Sequence, residues 1–269
     1  MSLTQVAGEV EPRRGSAIWV LARNTFREAV RDRLLTTILL FGAVLVASSV
    51  VLAPLTLGEQ DRIIRDLGLT AINVFAMLLV IFVGTGLVYR EIEQKTIYGI
   101  LGQPISRTQF LLGKFFGLWG TVVASVCILG LVYFGMVGIF ARGSPPQLAV
   151  AVALIALEGA VVTAIAILFS MVASPFLSAV FTFLVYLAGH LAADLVGLAD
   201  QANEPVLATC AKVFAWLVPA LHVFHVRDNI LAGVPVSPVR VLWCVLMTVL
   251  YAGAALGAAS LAFQRRDFE

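Results

Sequence analysis

Charge is scarce in this sequence. Only 13% of its 269 residues are Asp, Glu, Lys or Arg, against roughly 25% in soluble domains. The 18 basic and 16 acidic residues leave a formal charge of +2, too even a balance for the basic face of a nucleic-acid binder, so nucleic acid is excluded as a partner. Cysteine is equally thin. Cys127, Cys210 and Cys244 are odd in number and widely spaced, so they build neither a disulfide framework nor a cysteine-rich zinc knuckle. No G-x-x-x-x-G-K-[ST] run is present, which rules out ATP hydrolysis by a phosphate-binding loop of this chain. No serine, cysteine or histidine constellation for nucleophilic catalysis can be assembled either, so no catalytic residues are assigned.

What the sequence has instead is apolar length: 60% of its residues are hydrophobic. Crossing about 30 Å of hydrocarbon takes roughly 20 residues of helix. Six windows satisfy that: Leu34 to Leu57, Leu67 to Tyr89, Phe115 to Ala141, Leu148 to Ala173, Phe176 to Leu198 and Val241 to Phe263. They run without the polar alternation of a β-barrel strand, so the predicted fold class is an all-α membrane protein with six transmembrane helices. Ser144-Pro145-Pro146 and Ser174-Pro175 punctuate the second half, and Pro175 forces a break. The apolar stretch Val206 to Val226 carries Lys212, Pro219, His222 and His225. It is read as an outer pair of interfacial or re-entrant helices before the sixth span.

Six spans put both termini on one side. That side holds Arg13, Arg14, Arg23, Arg27, Arg31, Arg33, Arg90, Lys95, Arg107, Lys114, Arg265 and Arg266, twelve in all, against six on the other: Arg62, Arg65, Arg142, Lys212, Arg227 and Arg240. The excess predicts cytoplasmic termini. Residues 1–33 then form a cytoplasmic N-terminal segment and residues 34–269 the six-span domain, with a cytoplasmic loop at 89–110 and an extracytoplasmic segment at 199–240. The mixed-charge start does not read as a cleaved signal peptide, so the first span is expected to act as the signal.

Ahead of the first span, Ile18, Trp19, Ala22, Phe26, Ala29 and Val30 share a helical face, while Arg23, Arg27 and Arg31 form a stripe at fourfold spacing. This pattern predicts an amphipathic helix in the membrane surface, with the aromatics at headgroup level and the arginines against anionic lipid. Between the second and third spans, charges crowd at Arg90, Glu91, Glu93 and Lys95. Ile97, Ile100 and Leu101 then recur at helical spacing until Gly102 to Pro104 stops the helix. Ser106 is the expected N-cap of the next helix, with Gln109 completing a capping box.

Ionisable residues within the spans are functional candidates by default. Glu158 falls near the middle of the fourth span, either on a substrate path or as a structural hydrogen-bonded acid. His190 and Asp194 sit four apart in the fifth, where an imidazole and a carboxylate can pair. His222 and His225 are three apart with Cys210 upstream, but they supply no defined set of three or four ligands, so no metal site is assigned. Gly253 and Gly257 in the sixth span have the spacing that lets helices approach closely, and are expected to pack within the protomer.

The loop carries a resemblance. Glu91, Glu93, Thr96, Ile97, Pro104, Ser106 and Arg107 match the first intracellular loop of type-2 ABC exporter permeases, in which an acidic cluster and a Thr-Ile step lead to a short coupling helix and a Pro-x-Ser-Arg turn. The likeness continues through Phe110-Leu111-Leu112-Gly113-Lys114 and covers nearly the whole chain. It is closest to the branch containing the permease that supports nitrous oxide reductase maturation. The resemblance implies a membrane subunit of a dimer, with a homodimer expected, in the bacterial inner membrane. A separate ABC-type ATPase subunit would carry ATP and Mg, and this chain would bind no cofactor. Ile97, Tyr98, Ile100 and Leu101 would form the apolar anchor of the coupling helix, beside Glu91, Glu93, Thr96 and Arg107. The outer segment could contact an extracytoplasmic partner protein, in which case ATP-driven motion would be passed on without moving a solute. A stand-alone channel or secondary carrier would need internal repeats and paired intramembrane ions, which the sequence does not show.

Overall fold

The computed structural model describes residues 14–55, 60–86, 106–141, 147–202, 204–226, 229 and 234–265. Among them all regular structure is helical. Helix α1 spans Arg14–Arg31 and α2 Arg33–Leu52, followed by a 3-10 turn at Ala53–Leu55. Helix α3, Gln60–Leu79, continues into a π-helical segment at Val80–Gly84. Helices α4 (Arg107–Phe140), α5 (Gln147–Val172) and α6 (Pro175–Gln201) follow. A shorter α7 (Pro205–Leu217), a 3-10 turn at Leu221–Phe224 and α8 (Pro238–Arg265) complete the order.

Six of these helices are long and apolar enough to cross a membrane: α2, α3 with its π segment, α4, α5, α6 and α8. Each coincides with an expected window. The largest difference is the start of α4, eight residues ahead of Phe115, because Ser106 caps it well before the apolar run begins. Its hydroxyl accepts from the Gln109 amide, and the Gln109 side chain accepts from the Ser106 amide, closing the expected capping box. The resulting 34-residue helix is about 50 Å long at 1.5 Å per residue, longer than the hydrocarbon is thick. Pro175 begins α6 at its first turn, where its missing N–H costs nothing. Helix α7 has 13 residues and reaches only about 20 Å, so Val206 to Val226 contains no seventh span.

Helices α3 and α5 form the buried centre, while α2, α6 and α8 are mostly exposed. Their outward residues, such as Leu40, Phe41, Leu184, Leu242 and Val249, are apolar. Helix α5 packs against α3, α4, α6 and α8. Val122 of α4 sits on Gly159, and the Trp119 indole N–H donates to the Ala156 carbonyl at 2.9 Å. Tyr133 lies across Gly68 of α3 and donates its hydroxyl to the Arg65 carbonyl at 3.1 Å.

Helix α1 is not isolated from the bundle. Ala22, Thr25 and Ala29 are buried, and α1 packs closely on α4. Gly113 and Gly117 make that approach possible: a Cβ at Gly113 would meet Leu21 Cβ at 2.5 Å, and one at Gly117 the Ala22 carbonyl oxygen at 2.6 Å. The expected packing role of Gly253 and Gly257 is corrected by the structure. Among the described residues a Cβ at either position meets nothing within 4 Å, because both face away from the described bundle.

Candidate functional site

Two regions of the bundle concentrate polar contacts. The first lies at mid-bundle between α3, α5 and α6. Glu158 is twelve residues into α5 and is 1% exposed. An ionised carboxylate buried this deeply is tolerated only with polar partners. Asn73 of α3 donates through Nδ2 to Glu158 Oε2 at 2.8 Å, and its own Oδ1 accepts from the Tyr186 hydroxyl of α6 at 2.7 Å. Glu158 Oε1 lies 3.2 Å from His190 Nε2, but the pair is not aligned as a hydrogen bond, so Oε1 has no well-directed partner among the described residues. His190 Nε2 is also 3.1 Å from His225 Nδ1, while His190 Nδ1 lies 3.1 Å from the Tyr186 carbonyl. The contacts close into a circuit that begins and ends at Tyr186 and joins α3, α5 and α6, with His225 of the segment after α7 branching from it at His190.

His225 enters this circuit because the chain after α7 folds back against α6. Gly189 permits the contact: a Cβ there would lie 2.6 Å from the Pro219 carbonyl oxygen and 2.9 Å from Leu221. Leu221, Phe224 and Val226 are buried, which pins the segment on both sides of His225. From α8, Arg240 donates to the His225 carbonyl and to Asn229 Oδ1, each at 3.0 Å. A cavity of about 140 Å³ adjoins the cluster, with Asn73, Tyr186, Ile155, Phe224 and His225 in its wall.

The second region is the start of α4. Arg107 donates to the Phe263 carbonyl of α8 at 3.0 Å and lies 5.4 Å from the centre of the Phe263 ring. Phe110 stacks on the same ring at 6.3 Å. The capped first turn of α4 is thereby joined to the last turns of α8.

The expected site residues distribute unevenly over these regions. Glu91, Glu93, Thr96, Ile97, Tyr98, Ile100 and Leu101 lie outside the described residues. Arg107 is anchored as above. On α1, Arg23, Arg27 and Arg31 are exposed and Phe26 is half-buried, while Trp19 is 71% exposed. Glu158 and His190, considered separately from sequence, are brought together. Asp194 is exposed and is not the described partner of His190, whose ring nitrogens face Tyr186, Glu158 and His225. His222 and Cys210 are exposed and are not among the residues whose ligand atoms converge with that of His225. Asn73 and Tyr186 were missed, although a lone amide within an apolar span was a readable signal for Asn73.

A bundle of six apolar spans, with a polar circuit across its centre and one helix start braced by another helix's end, defines a multi-pass membrane protein. The chain belongs to the ABC-2 family transporter proteins, whose family model matches residues 19–268. It is thus an ABC transporter permease subunit, of a family whose membrane subunits are typically non-catalytic. No curated protein matches the chain.

Proposed function

We propose that the chain forms the membrane pathway of an ATP-driven exporter in the bacterial inner membrane, as a homodimer with cytoplasmic termini. A separate ABC-type ATPase binds ATP and Mg and docks on the loop at 89–110. Ile97, Tyr98, Ile100 and Leu101 supply the apolar anchor, beside Thr96, and Glu91 and Glu93 bond to the ATPase rim. Helix α1 lies at headgroup level, with Trp19 in the lipid boundary and Arg23, Arg27 and Arg31 toward anionic headgroups.

The observation that carries this reading is the joint between Arg107, Phe110 and Phe263. A displacement of the loop that ends at Ser106 reaches α4 through a capped first turn and reaches α8 through Arg107. Two packed helices then carry the movement across the membrane, with α5 between α8 and the polar circuit. A second reading is favoured by α7, where Val206, Val213, Trp216 and Leu217 are exposed, Trp216 at 88%. An extracytoplasmic protein seated there would receive the motion in place of a solute.

Purification of the tagged full chain in mild detergent from its native host tests both readings. An ATPase subunit in equal amount establishes the exporter reading, and an extracytoplasmic protein beside it selects the second. Glu91→Lys with Glu93→Lys is expected to leave membrane insertion intact and abolish transport while hydrolysis continues. A chain that purifies without an ATPase, or transport unchanged in the double variant, overturns the coupling assignment.

A further inference from the structure

We propose that Glu158, His190 and His225 form a binding site for a divalent transition-metal ion of the zinc class, with a fourth coordination position open to the adjoining cavity. The ligand atoms Glu158 Oε1, His190 Nε2 and His225 Nδ1 all lie within 4.8 Å of one another. Two of the separations are 3.2 Å and 3.1 Å. Bonds of about 2.0–2.1 Å at tetrahedral angles place neighbouring ligand atoms roughly 3.3 Å apart. Those two separations therefore already match the edges of a zinc tetrahedron, and the ion would draw in the third.

Hydrogen bonding alone leaves this cluster frustrated. The Tyr186 carbonyl can only accept, so His190 Nδ1 carries the hydrogen of that 3.1 Å contact. Nε2 of the neutral ring then presents one lone pair to two neighbours in different directions, and Glu158 Oε1 stays buried without a well-directed partner. A cation between the three atoms satisfies all of them at once. The surroundings also match what orients metal ligands elsewhere: a ligating histidine donates its other N–H to a backbone carbonyl, and a ligating carboxylate is held by a further hydrogen bond. Here the Tyr186 carbonyl performs the first task and Asn73 the second.

Two imidazoles and a carboxylate select the class of ion. Magnesium and calcium prefer all-oxygen shells, whereas this donor set suits zinc, and cobalt as its spectroscopic substitute. Three protein ligands leave room for one more, which we place toward the cavity that reaches the cluster at His225, with Asn73 and Tyr186 in the same wall. The ion would tie α5 and α6 to the segment after α7, giving that segment a bond to the bundle that can be made or broken.

The test is independent of any ATPase. The full chain, carrying a tag without histidine, is stripped with chelator in detergent and titrated with Co2+ while its visible spectrum is followed. One tetrahedral Co2+ per chain, displaced by one Zn2+, is expected. Asn73→Ala should weaken binding about 10- to 100-fold as an outer-shell loss, and His225→Asn and Glu158→Gln by more. His222→Asn and Asp194→Asn should bind as the parent does. Absence of a stoichiometric tetrahedral Co2+ spectrum in the parent chain overturns the proposal, and so does parent-like binding by His225→Asn. Either result would leave the cluster as a proton-sharing network.

Discussion

The bundle contains two glycine pairs at the same four-residue spacing and in opposite surroundings. Gly113 and Gly117 on α4 receive α1 so closely that a single added carbon would collide with the Leu21 side chain and the Ala22 backbone. Gly253 and Gly257 on α8 have nothing among the described residues within 4 Å of the corresponding positions. The spacing permits helices to meet, but whether they do is settled by what the opposing helix offers. Helix α1 offers a narrow strip of Ala22, Thr25 and Ala29. No described helix of the protomer presents such a strip to the outward face of α8.

The sharpest way to break the comparison is Gly117→Val. Its obstacle is backbone, which cannot rotate away, so the cost should approach the upper end of about 1–3 kcal/mol for an overpacked site. Thermal unfolding in detergent, with cysteine accessibility along α1, reads it. Gly189→Ala adds one carbon against the Pro219 carbonyl and should cost about 1–2 kcal/mol. Hydrogen exchange should show the loss concentrated at residues 219–226. Tyr133→Phe keeps the ring on Gly68 but removes the hydroxyl's bond to the Arg65 carbonyl, an expected loss of about 1 kcal/mol by thermal unfolding. Gly253→Ala or Gly257→Ala, each made singly, should have the smallest effect and the opposite sign. With no collision to oppose it, the better helix propensity of alanine should raise stability by up to about 0.5–1 kcal/mol per site. A destabilisation there as large as that of Gly189→Ala would mean that the α8 face is covered in the assembled protein, and the contrast between the two pairs would vanish.

Most of the architecture was legible because its signals are local. Runs of some twenty apolar residues mark the spans, Ser106 and Gln109 mark the start of α4, and Pro175 marks the turn between α5 and α6. The glycine spacing was read only at Gly253 and Gly257, where it misled as to partner, whereas Gly113 and Gly117 went unread because they sit beside Lys114 near a charged loop. The polar circuit was half legible. Glu158 and His190 stand out as ionisable groups in apolar spans, yet local spacing suggested Asp194 for His190 and His222 for His225. The contacts actually made join residues 35 and 85 positions apart. They depend on Gly189 admitting the chain at Pro219, a steric allowance that has no period in the sequence.

The short turn between α5 and α6 has a consequence for how the chain enters the membrane. A charge at the centre of a lone transmembrane helix costs about 2.5–3.5 kcal/mol, so α5 on its own carries a penalty at Glu158. Asn73, already made, offsets part of it, and His190 follows 32 residues later on a helix joined by only Ala173 and Ser174. The two helices are therefore suited to leave the insertion machinery as one hairpin, with the acid and the imidazole meeting before either helix faces lipid alone. His225 arrives last, so the branch from His190 to the segment after α7 forms only after the circuit of α3, α5 and α6 is complete.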